Sequence, residues 1–424
     1  MIGIFDFRKP LVVLRDPEII KQIGVKDFDY FTDHQGLASV SNDDMFSNSL
    51  IFLVGDKWRD MRTTLSPAFT GSKMRQMFIL VQQCATDMSA YFKKQSLGGE
   101  ELNYEMKDLF SKYSNDVIAT AAFGIEVNSF ANPNNEFFGM GKEIMSFSFL
   151  TSIKLAIIRT APWIMRALKL QVFNEKYTRF FKSMVLENID HRIKNEIFRP
   201  DMINILKDIV KLGGVQSKSD EAVETADGFS AVDESDIANK NVVKRKWRDI
   251  ELVAQCFLFF VAGFDTASTM LSFAAYELAT NKDIEEKLYA EIVEMEQSLG
   301  GKPLGYDDLQ KMKYMDMFTT EILRMWPPAM STDRRCAKNY ELKMDDKSFT
   351  IEKGTTVWIP IYGLHHDPKY FKNPEQCDPE RFSDENKNNV VAGTYLPFGI
   401  GPRNCIGKES FLFLLLFDRW ITLL

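Results

Sequence analysis

Residues 249–279 constrain this chain more than any other stretch: they run without a proline, are apolar on nearly all sides, and fit one unbroken helix. A helix that is hydrophobic around its whole circumference has to be buried. The rest of the chain must therefore supply a shell around it, and 424 residues are enough to do so and still enclose a large ligand. That shell is helical as well. Apolar residues recur at three- and four-residue spacing over 58–65, 74–92, 104–123 and 180–198. A helix rich in Glu and Lys follows at 283–299, and another at 309–326 is stopped by Pro327-Pro328. Near the start, residues 11–14 suggest a strand, and Asp16-Pro17 is a cap and first turn for a helix ending at Gly24. Short β-like pieces at 340–342, 349–351 and 355–360 precede an irregular stretch, 365–394. The fold expected is mainly α, with a small β-region and a long central helix.

Bulk composition removes several classes of function. The net charge of −7 and the lack of a dominant basic stripe argue against nucleic acid. Lys57, Arg59, Arg62, Lys73 and Arg75 are locally dense, which suits either solvated helix surface or a docking face. Five scattered cysteines without CxxC spacing point to a reducing compartment, and with four histidines they assemble no zinc cluster. Asp6, Arg8 and Lys9 interrupt the place where a signal peptide would be apolar, and no stretch is expected to reach the ~20 apolar residues of a membrane span. The 34 Phe and 20 Met fit a large core, or equally a roomy apolar pocket. The apolar pattern fails over 211–246, which is expected to be an exposed, mobile connection within a single domain spanning 1–424.

The strongest chemical signal is Phe398-Gly399-Ile400-Gly401-Pro402-Arg403-Asn404-Cys405-Ile406-Gly407. A thiolate that ligates a metal needs a tight loop, so that backbone N–H groups can face the sulfur, and glycines permit that turn and the close approach of a flat macrocycle. Arg403 can neutralise an anionic substituent, and a helix beginning after Cys405 would stabilise the thiolate. A lone buried cysteine in a glycine-rich turn would be the plainer reading. Five fixed positions within ten residues, Phe398, Gly401, Arg403, Cys405 and Gly407, outweigh it.

This loop resembles the haem-thiolate signature of the cytochrome P450 family, and the resemblance extends over nearly the whole chain, in detail toward microsomal insect enzymes related to xenobiotic oxidases. It implies the family's triangular helical prism and haem b (iron protoporphyrin IX), with Cys405 as the ligand to iron. It also gives a meaning to Ala262-Gly263-Phe264-Asp265-Thr266 in the middle of the apolar helix. Gly263 costs about 1 kcal/mol there relative to alanine, and Asp265 is costly unless used or solvated. The residues alone suit a kinked polar face as well as an oxygen site. The resemblance makes Asp265 and Thr266 the acid–alcohol pair that relays protons, and places Ala262 and Gly263 over the haem.

By the same resemblance Trp58 and Arg62, four apart and so on one helix face, donate to a haem propionate, as does Arg334 or its neighbour Arg335. Glu321, Arg324 and Arg381 match a buried charge network that is scaffold and not catalysis. Phe257, Phe260, Val261, Ala329, Met330 and the loop 37–50 are expected near the substrate, or in the core. The resemblance implies a monooxygenase that takes O2, an apolar small-molecule substrate, and electrons from NADPH through NADPH–cytochrome P450 reductase, on the cytosolic face of the endoplasmic reticulum membrane. The membrane anchor of such enzymes would precede Met1 and is absent from this chain. After Cys405 only 19 residues remain (424 − 405), and the apolar run 411–417 departs from the family pattern. An inactive truncated isoform, or a haem-binding protein without turnover, is therefore the alternative function.

Overall fold

A computed structural model describes residues 1–7, 9–35, 44–97, 103–146, 149–212, 247–344 and 347–408. Most of the expected mobile connection, the apolar run 411–417 and part of the loop 37–50 lie outside the described residues. The helices are α1 (Pro17–Lys21), α2 (Asp44–Asn48), α3 (Gly55–Leu65), α4 (Gly71–Ser96), α5 (Met106–Phe123), α6 (Glu136–Met145), α7 (Phe149–Thr160), α8 (Pro162–Ala167), α9 (Glu175–Lys194), α10 (Met202–Leu212), α11 (Asp249–Thr280), α12 (Lys282–Leu299), α13 (Tyr306–Leu309), α14 (Lys313–Met325) and α15 (Ile361–His365). The strands are β1 (Ile2–Asp6), β2 (Lys9–Val13), β3 (Thr332–Arg335), β4 (Tyr340–Met344), β5 (Lys347–Ile351) and β6 (Thr356–Ile359). One sheet has the order β1-β2-β6-β3, parallel between β2 and β6 and otherwise antiparallel; β4 and β5 form a separate hairpin.

The central helix is α11, as its composition demands. Its C-terminal half (Ala267, Met270, Leu271, Ala274, Leu278) packs into a core with α4, α5, α12 and α14. Its N-terminal half (Leu252, Cys256, Phe257, Phe260, Phe264) packs into a second core with α3, α5, α6, α9 and α10. By length and mean hydropathy, 1.6 over its most apolar window, α11 passes for a membrane span, and 56% of that window is buried in the fold. The expectation that no stretch is apolar enough to span is corrected accordingly: the protein interior makes the same demand on a helix as lipid does.

A third core joins the sheet to α1 and to the chain leading into the cysteine loop, through Leu14, Ile20, Ile23, Val357, Ile359, Leu396 and Ile400. Asp16 caps α1 as expected, its Oδ1 accepting from the amides of Glu18 (2.9 Å) and Ile19 (3.3 Å). The helical run does not stop at Gly24. It passes into a π-helical turn, Gln22–Lys26, that presses Gly24 against Ile400. The helix expected over 309–326 is α14, which starts only at Lys313; Leu309 is the last residue of the separate short helix α13.

Glu321 and Arg324 of α14 are fully buried and paired through two hydrogen bonds, 2.7 and 2.8 Å. Arg381 Nε (3.2 Å) and the Asp378 amide (2.9 Å) complete the carboxylate's shell. The arginine also donates to the His365 carbonyl at 2.9 Å. Such a network costs little while whole and several kcal/mol when one member is removed.

His365 is buried beside it. Burial, with the nearby charges of Arg324 and His366, pushes the imidazole down to about 3 against a hydrogen bond to the Arg324 carbonyl that favours the charged form. The unfolded chain takes up a proton at His365 below about pH 6.5, whereas the folded chain does not until near pH 3. Stability is therefore fully present above pH 6.5 and is lost as the pH falls through the window below it, by up to about 1.4 kcal/mol per pH unit from this group. Urea unfolding at pH 7 and pH 5.5 should show that loss, and His365→Gln should flatten it.

Candidate functional site

The cysteine loop is held from both sides. Gly399 and Gly401 adopt positive φ, +78° and +70°. A Cβ on Gly401 would lie 1.9 Å from the Gly24 carbonyl oxygen, and one on Gly24 would lie 2.7 Å from Ile400 Cγ2. Two glycines thus let two backbones touch. A 3₁₀ turn, Gly401–Arg403, then reverses the chain. The Asn404 amide donates to the Gly401 carbonyl (2.9 Å), and the Cys405 amide to that of Phe398 (2.8 Å). Cys405 ends up exposed, whereas Cys84, Cys256, Cys336 and Cys377 are buried. Burial raises the thiol pKa of each of those four, that of Cys256 to about 12, so they suit packing and not ligation.

Three arginines surround the loop. Arg62 of α3, 2% exposed, donates to the Asn404 carbonyl (3.0 Å) and to its side-chain oxygen (2.8 Å). Arg403 donates to the carbonyls of Thr32 (2.8 Å) and Leu53 (2.7 Å), faces Asp33 at 3.4 Å, and stacks 4.1 Å above the buried ring of Trp58. Arg334, 0% exposed, donates to the Ile400 carbonyl at 2.9 Å. Alternation along β3 turns Arg334 inward and Arg335 outward.

Burial works against the charge on two of these arginines. Burial, reinforced by the charges of Arg334 and Arg62, lowers Arg403 to about 9, and burial lowers Arg334 to about 10. Asp33 reaches Arg403, while the Asp333 carboxylate is taken up by His34 (3.2 Å) and the Gln35 amide (2.5 Å). Among the described residues, Arg334 Nε is buried without a hydrogen-bond partner. Three buried guanidinium groups beside one accessible sulfur fit a flat ligand that carries carboxylates and takes a thiolate.

On α11 the motif residues separate. A Cβ on Gly263 would meet Ile118 of α5 at 3.0 Å, so this glycine serves the close packing of α11 on α5. Ala262 is exposed. The Thr266 hydroxyl donates back to the Ala262 carbonyl at 2.5 Å. The Asp265 carboxylate pairs with Lys107 of α5 at 2.8 Å, and the same ammonium reaches the Asp265 carbonyl, Ser268 and Thr269. The acid and the alcohol are therefore held by different partners. Gly407 lies against Phe69, whose ring meets that of Phe259 at 5.3 Å and so links the loop to α11. Phe398 packs against the first core and Ile406 against the second.

The residues expected near the substrate or in the core divide. Phe257 and Phe260 are buried in an aromatic cluster with Phe123, Phe137 and Phe181, and belong to the core. Ala329 and Met330 are exposed, Met330 by 62%. The basic stretch does not form one face: Arg62 is buried, and Arg59 and Arg75 are paired with Asp29 and Asp307. Sequence reasoning missed Gly24, Asn404, Lys107 and His365. Gly24 was signalled only as a helix stop, and a lone lysine or histidine gives no signal of a partner so remote in sequence.

Comparison with known proteins agrees with this geometry. A family model described as Cytochrome P450 matches residues 1–410. Cytochrome P450 9e2 of Blattella germanica is 47% identical over 96% of the chain and 76% of its own length. Probable cytochrome P450 9f2 and cytochrome P450 9c1 of Drosophila melanogaster are each 42% identical over the same shares. The chain belongs to the cytochrome P450 family. The family is one of haem-thiolate monooxygenases: its members bind haem b through a cysteine thiolate and use O2 with a redox partner.

The glycine pair offers a direct check on the loop. Gly300 has φ +56° with open space around it, so Gly300→Ala should cost only the left-handed strain of about 1–2 kcal/mol. Gly401→Ala adds a backbone clash and should lower the unfolding midpoint several times as far; equal shifts would mean that the Gly24–Gly401 contact is not formed.

Proposed function

We propose that Cys405 is the thiolate ligand of haem b in this chain, and that the protein inserts one atom of O2 into an apolar small molecule. The electrons come from NADPH through NADPH–cytochrome P450 reductase, at the cytosolic face of the endoplasmic reticulum membrane. The observation that carries this reading is the single exposed cysteine among three buried arginines, one of which, Arg334, keeps its buried Nε without a hydrogen-bond partner among the described residues.

When bound, haem b supplies the oxygen-activating redox chemistry. The chain's own residues do the rest. Arg62, Arg334 and Arg403 would hold the propionates, with Trp58 as the platform under Arg403. Phe398, Gly401 and Gly407 shape the loop that presents the sulfur. Ala262 leaves room beside α11, and Gly263 lets that helix approach α5. With the group bound, the Thr266 hydroxyl would hold a proton at its Oγ1, and the Asp265 carboxylate would take one up from solvent to replace it. Lys107 fixes the carboxylate until then.

Thr266→Ala tests the proton roles. With reductase, NADPH and a 7-alkoxycoumarin as an apolar probe, the variant should consume NADPH at a similar rate and divert several-fold more of it to hydrogen peroxide. An unchanged ratio of peroxide to NADPH would remove Thr266 from the relay.

A further inference from the structure

His365 lies outside the haem-binding loop and outside the Glu321–Arg324–Arg381 network, yet it touches the last of these and the chain that leads to the first. Its Nε2 lies 2.8 Å from the Leu396 amide, and its Nδ1 lies 3.0 Å from the Arg324 carbonyl. An amide can only donate, so Nε2 carries the lone pair; a carbonyl can only accept, so Nδ1 carries the hydrogen. One tautomer of the neutral ring therefore satisfies both neighbours, and no other protonation state does. The ring is fully buried and stacked on Tyr395 (5.5 Å, 19°), whose hydroxyl donates to the Thr320 carbonyl of α14 at 3.1 Å. Arg324 in turn donates to the His365 carbonyl, so ring and backbone are both tied to α14.

From Leu396 the hydrogen bonds continue. Its carbonyl accepts from the Gly399 amide at 3.0 Å, and the Phe398 carbonyl accepts from the Cys405 amide at 2.8 Å. We infer that His365 is a positioning residue for Cys405: it fixes the Leu396 peptide against the buried charge network, and the Leu396 and Phe398 carbonyls carry that register to the cysteine. Arg334 holds the Ile400 carbonyl from the opposite side, so the loop is clamped between α14 and β3. The functional consequence of this role rests on Cys405 being the thiolate ligand, as proposed above; the geometric role does not.

Three variants separate positioning from bulk stability. His365→Gln puts an amide oxygen where Nε2 accepts from Leu396. His365→Asn keeps a donor toward Arg324 and leaves the Leu396 amide without its acceptor. His365→Leu supplies neither. Amide hydrogen exchange at Leu396 and Cys405, and the rate of Cys405 alkylation by iodoacetamide, are measured on the whole folded chain, where the other four cysteines are buried. The ferrous–carbonyl spectrum of haem-loaded protein is recorded beside them. The inference predicts exchange about tenfold faster in the Asn and Leu variants, the loss of one buried hydrogen bond, with faster alkylation and a weakened thiolate band, and Gln restoring most of each. Equal effects in all three variants, by unfolding or otherwise, would make His365 merely structural and overturn the inference, as would no effect in any. If the exchange and alkylation order holds while wild-type protein shows no thiolate band, His365 still positions the loop and the assignment of Cys405 as ligand fails.

Discussion

Burying a guanidinium group is costly unless its charge is met, and this fold buries three of them around ten residues of backbone. Arg62, Arg334 and Arg403 spend most of their hydrogen bonds on carbonyl oxygens, of Asn404, Ile400, Thr32 and Leu53, which carry only partial charge. Among the described residues, Asp33 is the carboxylate that reaches Arg403. The arrangement makes sense if an anionic group shares the site, and the two carboxylates of haem b meet that need. Much of the surrounding architecture follows. The sheet turns Arg334 inward, α3 presents Trp58 and Arg62 on one face, and Gly24 lets α1's continuation seat the loop against Gly401.

Opposite the arginines stands a second fixed element, the Glu321–Arg324 pair of α14. Arg381 joins the same carboxylate, and the network's hydrogen bonds run outward to the residues 373–381 and to His365. The cysteine loop lies between the buried arginine Arg334 of the sheet and this buried ion network of α14. Its own residues divide in the same way, with Ile400 in the sheet core and Phe398 and Ile406 in the helical cores.

Periodicity and punctuation carried most of the helices, since α3, α4, α5, α9, α11 and α12 each show an apolar stripe or a fully apolar surface. Periodicity did not reveal β1 or β3, whose short, charged or exposed sequences acquire meaning only from their partners in the sheet. The ten residues around Cys405 were legible because their spacing is itself the chemistry. Asp265 was legible as an oddity, an acid in an apolar helix, but not as the partner of Lys107, 158 residues away in sequence. Phe257 and Phe260 show the reverse limit: apolar residues next to a functional motif look alike whether they line a pocket or fill a core, and here they fill the core. His365 was invisible for the same reason as Lys107, because its role is defined by Arg324 and Leu396 and not by its neighbours in the chain.

The claim at the centre of this account is that the exposed sulfur of Cys405 ligates haem iron inside the arginine cradle. The direct measurement is the difference spectrum of purified, dithionite-reduced protein with and without carbon monoxide, for the wild-type chain and for Cys405→Ser. A strongly red-shifted haem band in the wild type that vanishes in the variant, with helical content unchanged, is the predicted result. A red-shifted band that survives in Cys405→Ser, or a wild-type band at the position of a neutral-thiol or histidine ligand, would contradict it.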